Sequence, residues 1–437
     1  MANKNKKSLH WVRLDNAAKI YPAARRRNWS NMYRLSATLK ETVDLPMMQN
    51  ALNITVKRFP TIAACLKKGV FWYYLQQVAT PPKIQEEYSY PLVHMGKKEM
   101  KQCALRVIVH ENRVAVEFFH SLTDGTGGLV FLKNLLVEYL EQKYHISVPL
   151  GEGIVDRTAP PTPQELEDSF LKYAGTVPLS RKDTNAWQLY GDPFTEGFLQ
   201  VTCFQTSVQE TLSLAHKYKA TATVFLGAVM MKALLNLQKE KNPNPATWER
   251  IKLSIPINLR QLFPSDTLRN FSMYTIPEID PRLGDYTFEE ICKVIVHKLG
   301  AENTAKHMSR VIATNVNDEK NPLVRLIPLP IKNLVMKAIF NRVGERKSCL
   351  SFSNLGKVTV PLAMEPYVTR FDFILGVPAT APYHCGLLSF GDTFYINFIR
   401  NIKEPELERH FFEVLKEVGL SATVESNQRE EEQECIV

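Results

Sequence analysis

The stretch Val114-Ala-Val-Glu-Phe-Phe-His-Ser-Leu-Thr-Asp-Gly-Thr-Gly-Gly128 decides how the rest of the chain is read. An apolar, β-leaning run delivers His120 to its end, and Asp124 follows four positions later, ahead of Gly125, Gly127 and Gly128. Beyond them, Leu129, Leu132, Leu135, Leu136, Tyr139 and Leu140 keep helical spacing. That spacing predicts a helix from Gly128 to about Tyr144, packed behind the histidine. A strand that ends in a glycine-rich turn is where a rigid frame holds reactive side chains in the open.

One histidine among ten is ordinarily structural or simply exposed. Three features favour chemistry at His120: its place at a strand end, an acid at +4, and glycines that let a ligand approach the backbone. An imidazole titrates near neutrality, which suits a general base. Asp124 is expected either to orient the ring or to pair with an arginine and lock the loop. Spacing alone leaves both open.

Upstream, Cys103–Val109 and Arg113–Phe119 read as a hairpin turned at residues 110–112, with Met32–Leu39 and Gly69–Leu75 as further strands. Asp44 caps a helix from Leu45 to Phe59 that Pro60 ends. Downstream, residues 150–200 carry Pro160-Pro-Thr-Pro163 and a polar run, and read as a crossover linker with one short helix. The division expected is 1–178, 179–425 and a charged, disordered tail at 426–437. The second part holds a strand at Phe198–Thr206 and helices at Gln209–Tyr218 and Thr223–Lys239. Strands at Arg250–Arg260, Phe271–Ile276, Cys349–Phe352 and Val368–Leu375 follow, with a helical region from Thr287 to about Val343 between them. A hairpin, Gly386–Phe390 with Thr393–Ile399, precedes a last helix, Pro405–Val418. A hairpin beside helices in each half suggests a diverged duplication in which one copy kept the histidine.

The 437 residues exceed one ordinary core, so two or three domains are expected. A hydrophobic share of 45% supplies them. The net charge of +9 and pI near 9.0 raise a nucleic-acid reading, but basic residues are interspersed with acids and no zinc-finger, RRM or helix-turn-helix pattern occurs. A solvated basic surface that attracts a polyanionic nucleotide is the expectation, with no nucleic acid as partner. Seven cysteines without C-x-x-C spacing suit a reducing compartment, with no disulfide framework and no zinc site. The N-terminus has no apolar signal region, and the longest apolar run, Thr223–Leu237, carries Lys232. A soluble, cytoplasmic monomer without a membrane span is expected. There is no G-x-S-x-G elbow, no phosphate-loop lysine motif and no H-E-x-x-H.

With these residues in place, Phe119-His-Ser-Leu-Thr-Asp-Gly125 resembles the H-x-x-x-D-G signature of the CoA-dependent acyltransferase superfamily. That group includes chloramphenicol acetyltransferase, plant BAHD acyltransferases, alcohol acetyltransferases and non-ribosomal peptide condensation domains. Pro256-Ile-Asn-Leu-Arg260 and Arg269-Asn-Phe271 resemble its arginine-bearing strand and Gly-Asn-Phe segment. Ser351-Phe-Ser-Asn-Leu-Gly356 resembles its S-N-x-G segment, and Leu14-Asp15 with Tyr21-Pro22 resembles the alcohol acetyltransferase subgroup. Phe119 stands where condensation domains usually carry a second histidine, Arg269 replaces the glycine, and Asp372-Phe-Ile-Leu-Gly376 matches the plant D-F-G-W-G motif only in part. These departures favour a bacterial-type O- or N-acyltransferase.

The resemblance implies a mixed α/β fold of two chloramphenicol-acetyltransferase-like subdomains, each a mixed sheet flanked by helices, with the active site in a channel between them. It implies His120 as general base and Asp124 turned away onto Arg260, with Gly125 as support. Ser351, Ser353 or Asn354 would serve as oxyanion or channel residues. Acyl-CoA would be a co-substrate, no cofactor would be permanently bound, and an alcohol or amine would be the acceptor. A condensation-type enzyme fed by an acyl-carrier protein in trans is the nearest alternative. A non-catalytic binding protein of the same fold is the second.

Overall fold

The computed structural model describes residues 11–25, 31–179, 184–339, 345–377 and 381–428. Residues 429–437 of the expected tail lie outside them; of its first residues, Ser426 ends an edge strand, Thr423–Ser426, that pairs with Gln200–Ser207.

Two mixed sheets dominate the described residues. The first runs Val368–Leu375, Met32–Leu39, Arg113–Phe119, Leu105–His110 and Gln85–Glu86, antiparallel except for the last pair. The second runs Ser272–Thr275, Ile251–Asn258, Leu350–Lys357, Tyr383–Phe390, Thr393–Arg400, Gln200–Ser207 and Thr423–Ser426. Within it, Leu350–Lys357 is parallel to both neighbours and the remaining pairs are antiparallel. A small sheet of Trp11–Arg13, Tyr73–Gln77 and Ala64–Lys68 lies apart.

Helices cover the sheets because their apolar faces need partners. Leu45–Arg58 starts at Asp44, whose carboxylate accepts from Met47 N at 2.9 Å. It packs with Gly125–Tyr144 and, through Leu52, Val56, Leu132 and Leu136, joins the core of the first sheet. Ala222–Lys241, Phe288–Glu302 and Glu406–Glu417 build the second core with Leu253, Phe352 and Phe398. Lys232 keeps its ammonium on Tyr286 O, 3.2 Å away, and among the described residues no single helix is long and apolar enough to cross a membrane.

Three expectations need correction. Gly69–Trp72 is a turn closed by Gly69 N on Trp72 O (2.8 Å), so the strand there is Tyr73–Gln77. The linker carries two short helices, Pro163–Leu166 and Ser169–Tyr173, rather than one. A division at 178/179 assigns Val368–Leu375 to the second part by sequence, yet this strand forms the outer edge of the first sheet, with Phe371 opposite Ala37 and Phe373 opposite Leu35. The physical reason is the apolar face of Val368, Phe371 and Phe373, which joins the first core. Where the sheets meet, a Cβ on Gly386 would sit 2.6 Å from Phe373 O, so only glycine allows the approach.

Candidate active site

The hairpin ends at Phe119, and His120 leaves it as the chain turns. Its backbone N–H donates to Asn31 O at 2.9 Å. The ring stacks on Tyr21 (centroids 4.6 Å, 23° between planes) and meets Tyr33 edge-on at 5.1 Å. Nδ1 lies 3.0 Å from Asn270 Oδ1, and Asn270 Nδ2 donates to Asp15 Oδ2 at 3.2 Å. Asp15 is buried and receives Ala18 N at 2.8 Å, with the Arg269 guanidinium 3.8 Å away. This chain fixes the tautomer. Burial pushes the Asp15 carboxyl up while Arg269, Ala18 N–H and Asn270 favour its charged form; as a carboxylate it only accepts, so Asn270 turns its amide NH₂ to Asp15 and its oxygen to the histidine. Nδ1 must then carry the proton, which leaves the lone pair on Nε2. Burial pushes the imidazole below its ordinary titration range, with a hydrogen bond to its own backbone, Asp124 and Asn270 pulling the other way. The ring is therefore a neutral acceptor near pH 7.

The glycines differ from the turn read in the sequence. The helix begins at Gly125, three residues early, because Asp124 is its N-cap and accepts Gly127 N at 3.1 Å. A Cβ on Gly125 would meet Leu355 at 2.5 Å, on Gly127 Leu268 O at 2.3 Å, and on Gly128 the Tyr33 hydroxyl at 2.7 Å. The three glycines admit neighbouring protein, not a ligand.

The other Asp124 oxygen accepts Phe271 N and Arg260 Nη1, both at 2.8 Å. Arg260 also donates to Thr267 O (2.9 Å), Asn258 Oδ1 (3.1 Å) and Arg269 O (2.6 Å). Of the two roles open to Asp124, the geometry is that of the latch. The loop is pinned further by Thr123 Oγ1 on Leu268 O (2.6 Å), Tyr33 OH on Asp124 O (2.8 Å) and Ser121 Oγ on Ala18 O (3.1 Å). It is a rigid element stitched to residues 258–271 of the other half.

The strand Leu350–Lys357 presents alternate faces. Leu350 and Phe352 enter the second core, and Asn354 follows them, donating to Thr223 Oγ1 (2.9 Å) and accepting Gly356 N (2.7 Å). Asn354 is thus tied to a helix start through one of its two amide N–H groups. Ser351 and Ser353 lie on the opposite face with Leu355, the residue that touches Gly125. Sequence reasoning assigned no role to Asn270, Asp15 or Tyr21. Each lay in a quoted segment (Arg269-Asn-Phe271, Leu14-Asp15, Tyr21-Pro22), and only the fold brings them to the ring.

Among the described residues no group of three His, Cys, Asp or Glu side chains could hold a metal ion. The six described cysteines are free and buried, and burial pushes the Cys103, Cys292 and Cys349 thiols up to about 12. A small surface cavity is lined by residues 85–90, Val93, Arg106, Ile108 and Glu117 and includes none of the residues around His120. Of its carboxylates, Glu87 is engaged by Arg34 and Arg113, and Glu117 by Arg106.

No protein-family model and no curated protein matches the chain. Solved structures do. Polyketide synthase associated protein 5 from Mycobacterium tuberculosis superposes with a TM-score of 0.61 at 14% identity, over 94% of this chain and 98% of that one. TRI101 from F. graminearum, complexed with coenzyme A and T-2 mycotoxin, gives 0.64 at 11% identity, over 94% and 99%. The first condensation domain of the CDA synthetase gives 0.57 at 11% identity, over 95% and 97%. The chain therefore has the mixed α/β fold shared by CoA-dependent acyltransferases and condensation domains, over nearly its full length.

Proposed function

We propose that this protein transfers an acyl group from a coenzyme A thioester to an alcohol or amine, with His120 as general base and no covalent acyl-enzyme. One observation carries the reading: Asn270, oriented by Asp15, holds the Nδ1 proton of His120 and leaves Nε2 as the free base. The acceptor's O–H or N–H gives its proton to Nε2 as the oxygen or nitrogen bonds to the thioester carbonyl carbon. The tetrahedral adduct then collapses, the C–S bond breaks, and Nε2–H returns the proton to the departing thiolate. The proton is shuttled and nothing is oxidised. General-base help of this kind contributes on the order of 10²–10⁴-fold. Ser351 and Ser353, on the strand face beside Gly125, are our candidates for stabilising the oxyanion.

That TRI101 is crystallised with coenzyme A supports the choice of donor. Phe119, in place of the second histidine that condensation domains usually carry, speaks against the condensation-type alternative with a carrier-protein thioester. The free buried cysteines support a reducing compartment, and with it a cytoplasmic location. The deciding experiment measures thiol release from acyl-CoA and from acyl-carrier protein against a panel of alcohols and amines, with His120→Ala as control. Release from the carrier protein alone would move the assignment to the condensation type. No release from either donor across the panel would favour a binding protein.

A further inference from the structure

The helix Leu329–Ile339 faces the wrong way for an ordinary solvated surface. Its Lys332 is buried, with the ammonium 3.4 Å from the centroid of the Trp72 ring and donating to Phe71 O at 3.1 Å. Three of its apolar residues point outward instead: Ile331 is 56% exposed, Leu334 72% and Val335 48%. At i, i+3 and i+4 these three share one face. Leu329 N donates to Val70 O at 3.0 Å, which brings the exposed Val70 and Phe71 beside the helix, and the exposed Leu326 ends the preceding short helix, Pro322–Leu326. Scattered exposed apolar residues are ordinary; a contiguous group of this size on one face is not.

Charge narrows the occupant. Residues 64–78 and 321–339, which build this face, contain no Asp or Glu. They carry Lys67, Lys68, Arg325 and Lys337, all at least partly exposed. The nearby Glu319 is already taken up by Lys19 and Asn16. A second copy of the chain would press like charges together. An apolar plane rimmed by cations matches the headgroup boundary of an anionic bilayer, where apolar side chains enter the acyl region and each basic residue gains from the surface potential.

We propose that this face docks on an anionic membrane, with the helix Leu329–Ile339 lying in the headgroup plane. The helix packs on Ile20–Ala24, whose Tyr21 stacks on His120, so docking brings the wall of the site next to the lipid. The proposal does not depend on the acyl-transfer reading.

Co-sedimentation of the full chain tests it, using vesicles of phosphatidylcholine alone and of an equal mixture with phosphatidylglycerol. The chain is expected to sediment with the anionic vesicles and to be released by salt. The double variant Leu334→Ser/Val335→Ser is expected to lower the partition coefficient about tenfold or more. Lys67→Gln/Lys68→Gln is expected to lower it by a similar factor on anionic vesicles only. Leu334, Val335 and Lys68 are exposed, while Lys67 is half-buried with its ammonium on Lys101 O at 3.2 Å, so unchanged melting is the control for folding. Failure of the parent chain to bind anionic vesicles, or unchanged partition of both variants, overturns the proposal. So does a concentration-dependent dimer that Leu334→Ser/Val335→Ser abolishes, because the face would then be a self-association surface.

Discussion

Each sheet has a two-residue hairpin near its middle, and the two ends differ in use. In the first, His110 pairs with Arg113 across Glu111 and Asn112; in the second, Phe390 pairs with Thr393 across Gly391 and Asp392. Glu111 and Gly391 both take positive φ, 50° and 56°. Counting from the turns, Arg113 matches Thr393 and His120 matches Arg400. At the first position an aromatic stack and one amide oxygen hold a neutral ring that keeps a lone pair. At the second, Arg400 is spent: Nε donates to Glu408 at 2.7 Å, and Nη1 donates to Ile402 O at 2.5 Å and Lys403 O at 2.9 Å. Tyr383 OH takes the other Glu408 oxygen at 2.7 Å. The same place in the same motif is chemistry in one half and an internal clamp in the other. The ion pair and backbone bonds of Arg400 hold it in place as structure.

That contrast can be broken at either end. His120→Ala is expected to lower thiol release by about 10²–10⁴-fold without moving the melting temperature; comparable release would remove the base assignment. Arg400→Ala is expected to cost roughly 3–5 kcal/mol in urea unfolding, because Glu408 is left buried without its partner. A small change there would mean that the clamp is ornamental.

The second half has a half-buried histidine, His384, whose Nδ1 lies 2.7 Å from Gly376 O and which desolvation pushes down to about 4. The folded state resists protonating it while the unfolded chain takes a proton near 6.5. Its contribution is therefore complete above pH 6.5 and lost as pH falls toward 4, by up to about 3 kcal/mol. His384→Leu is expected to flatten that part of the stability–pH curve without altering the pH dependence of turnover. His120 is lowered in the same sense, so the acid limb of kcat/KM is expected below the ordinary histidine value of about 6.5. The smallest effect expected is for Asn270→Leu: about a tenfold fall in kcat at unchanged KM, the worth of one hydrogen bond that sets a tautomer. A change confined to KM would make Asn270 a binding residue instead.

How much of this was legible in the sequence follows from range. The strand Met32–Leu39, the Asp44 cap and the strand Arg113–Phe119 rest on alternation and on cap residues that act within a few positions, and the fold keeps them as read. The start of the helix at Gly125 was missed although Asp124 is a good cap residue, because three glycines read locally as a turn. Only the neighbours Leu355, Leu268 and Tyr33 explain why they are glycines. Asn270 and Asp15 reach His120 through contacts that no local pattern encodes. The apolar period of Leu329–Ile339 announces a helix but not which side faces inward, and Lys332 on Trp72 inverts the usual answer.

The outer strand Val368–Leu375 has a consequence during synthesis. Met32–Leu39 emerges early, but the strand that covers its outer side emerges roughly 330 residues later. At about 5–20 residues per second that is a delay of roughly 15–70 s. Throughout it, the nascent first sheet presents an open row of backbone donors and acceptors, the surface on which chains stick to one another. A ribosome carrying this chain thus holds a first sheet without its outer strand until Val368–Leu375 has emerged, late in translation.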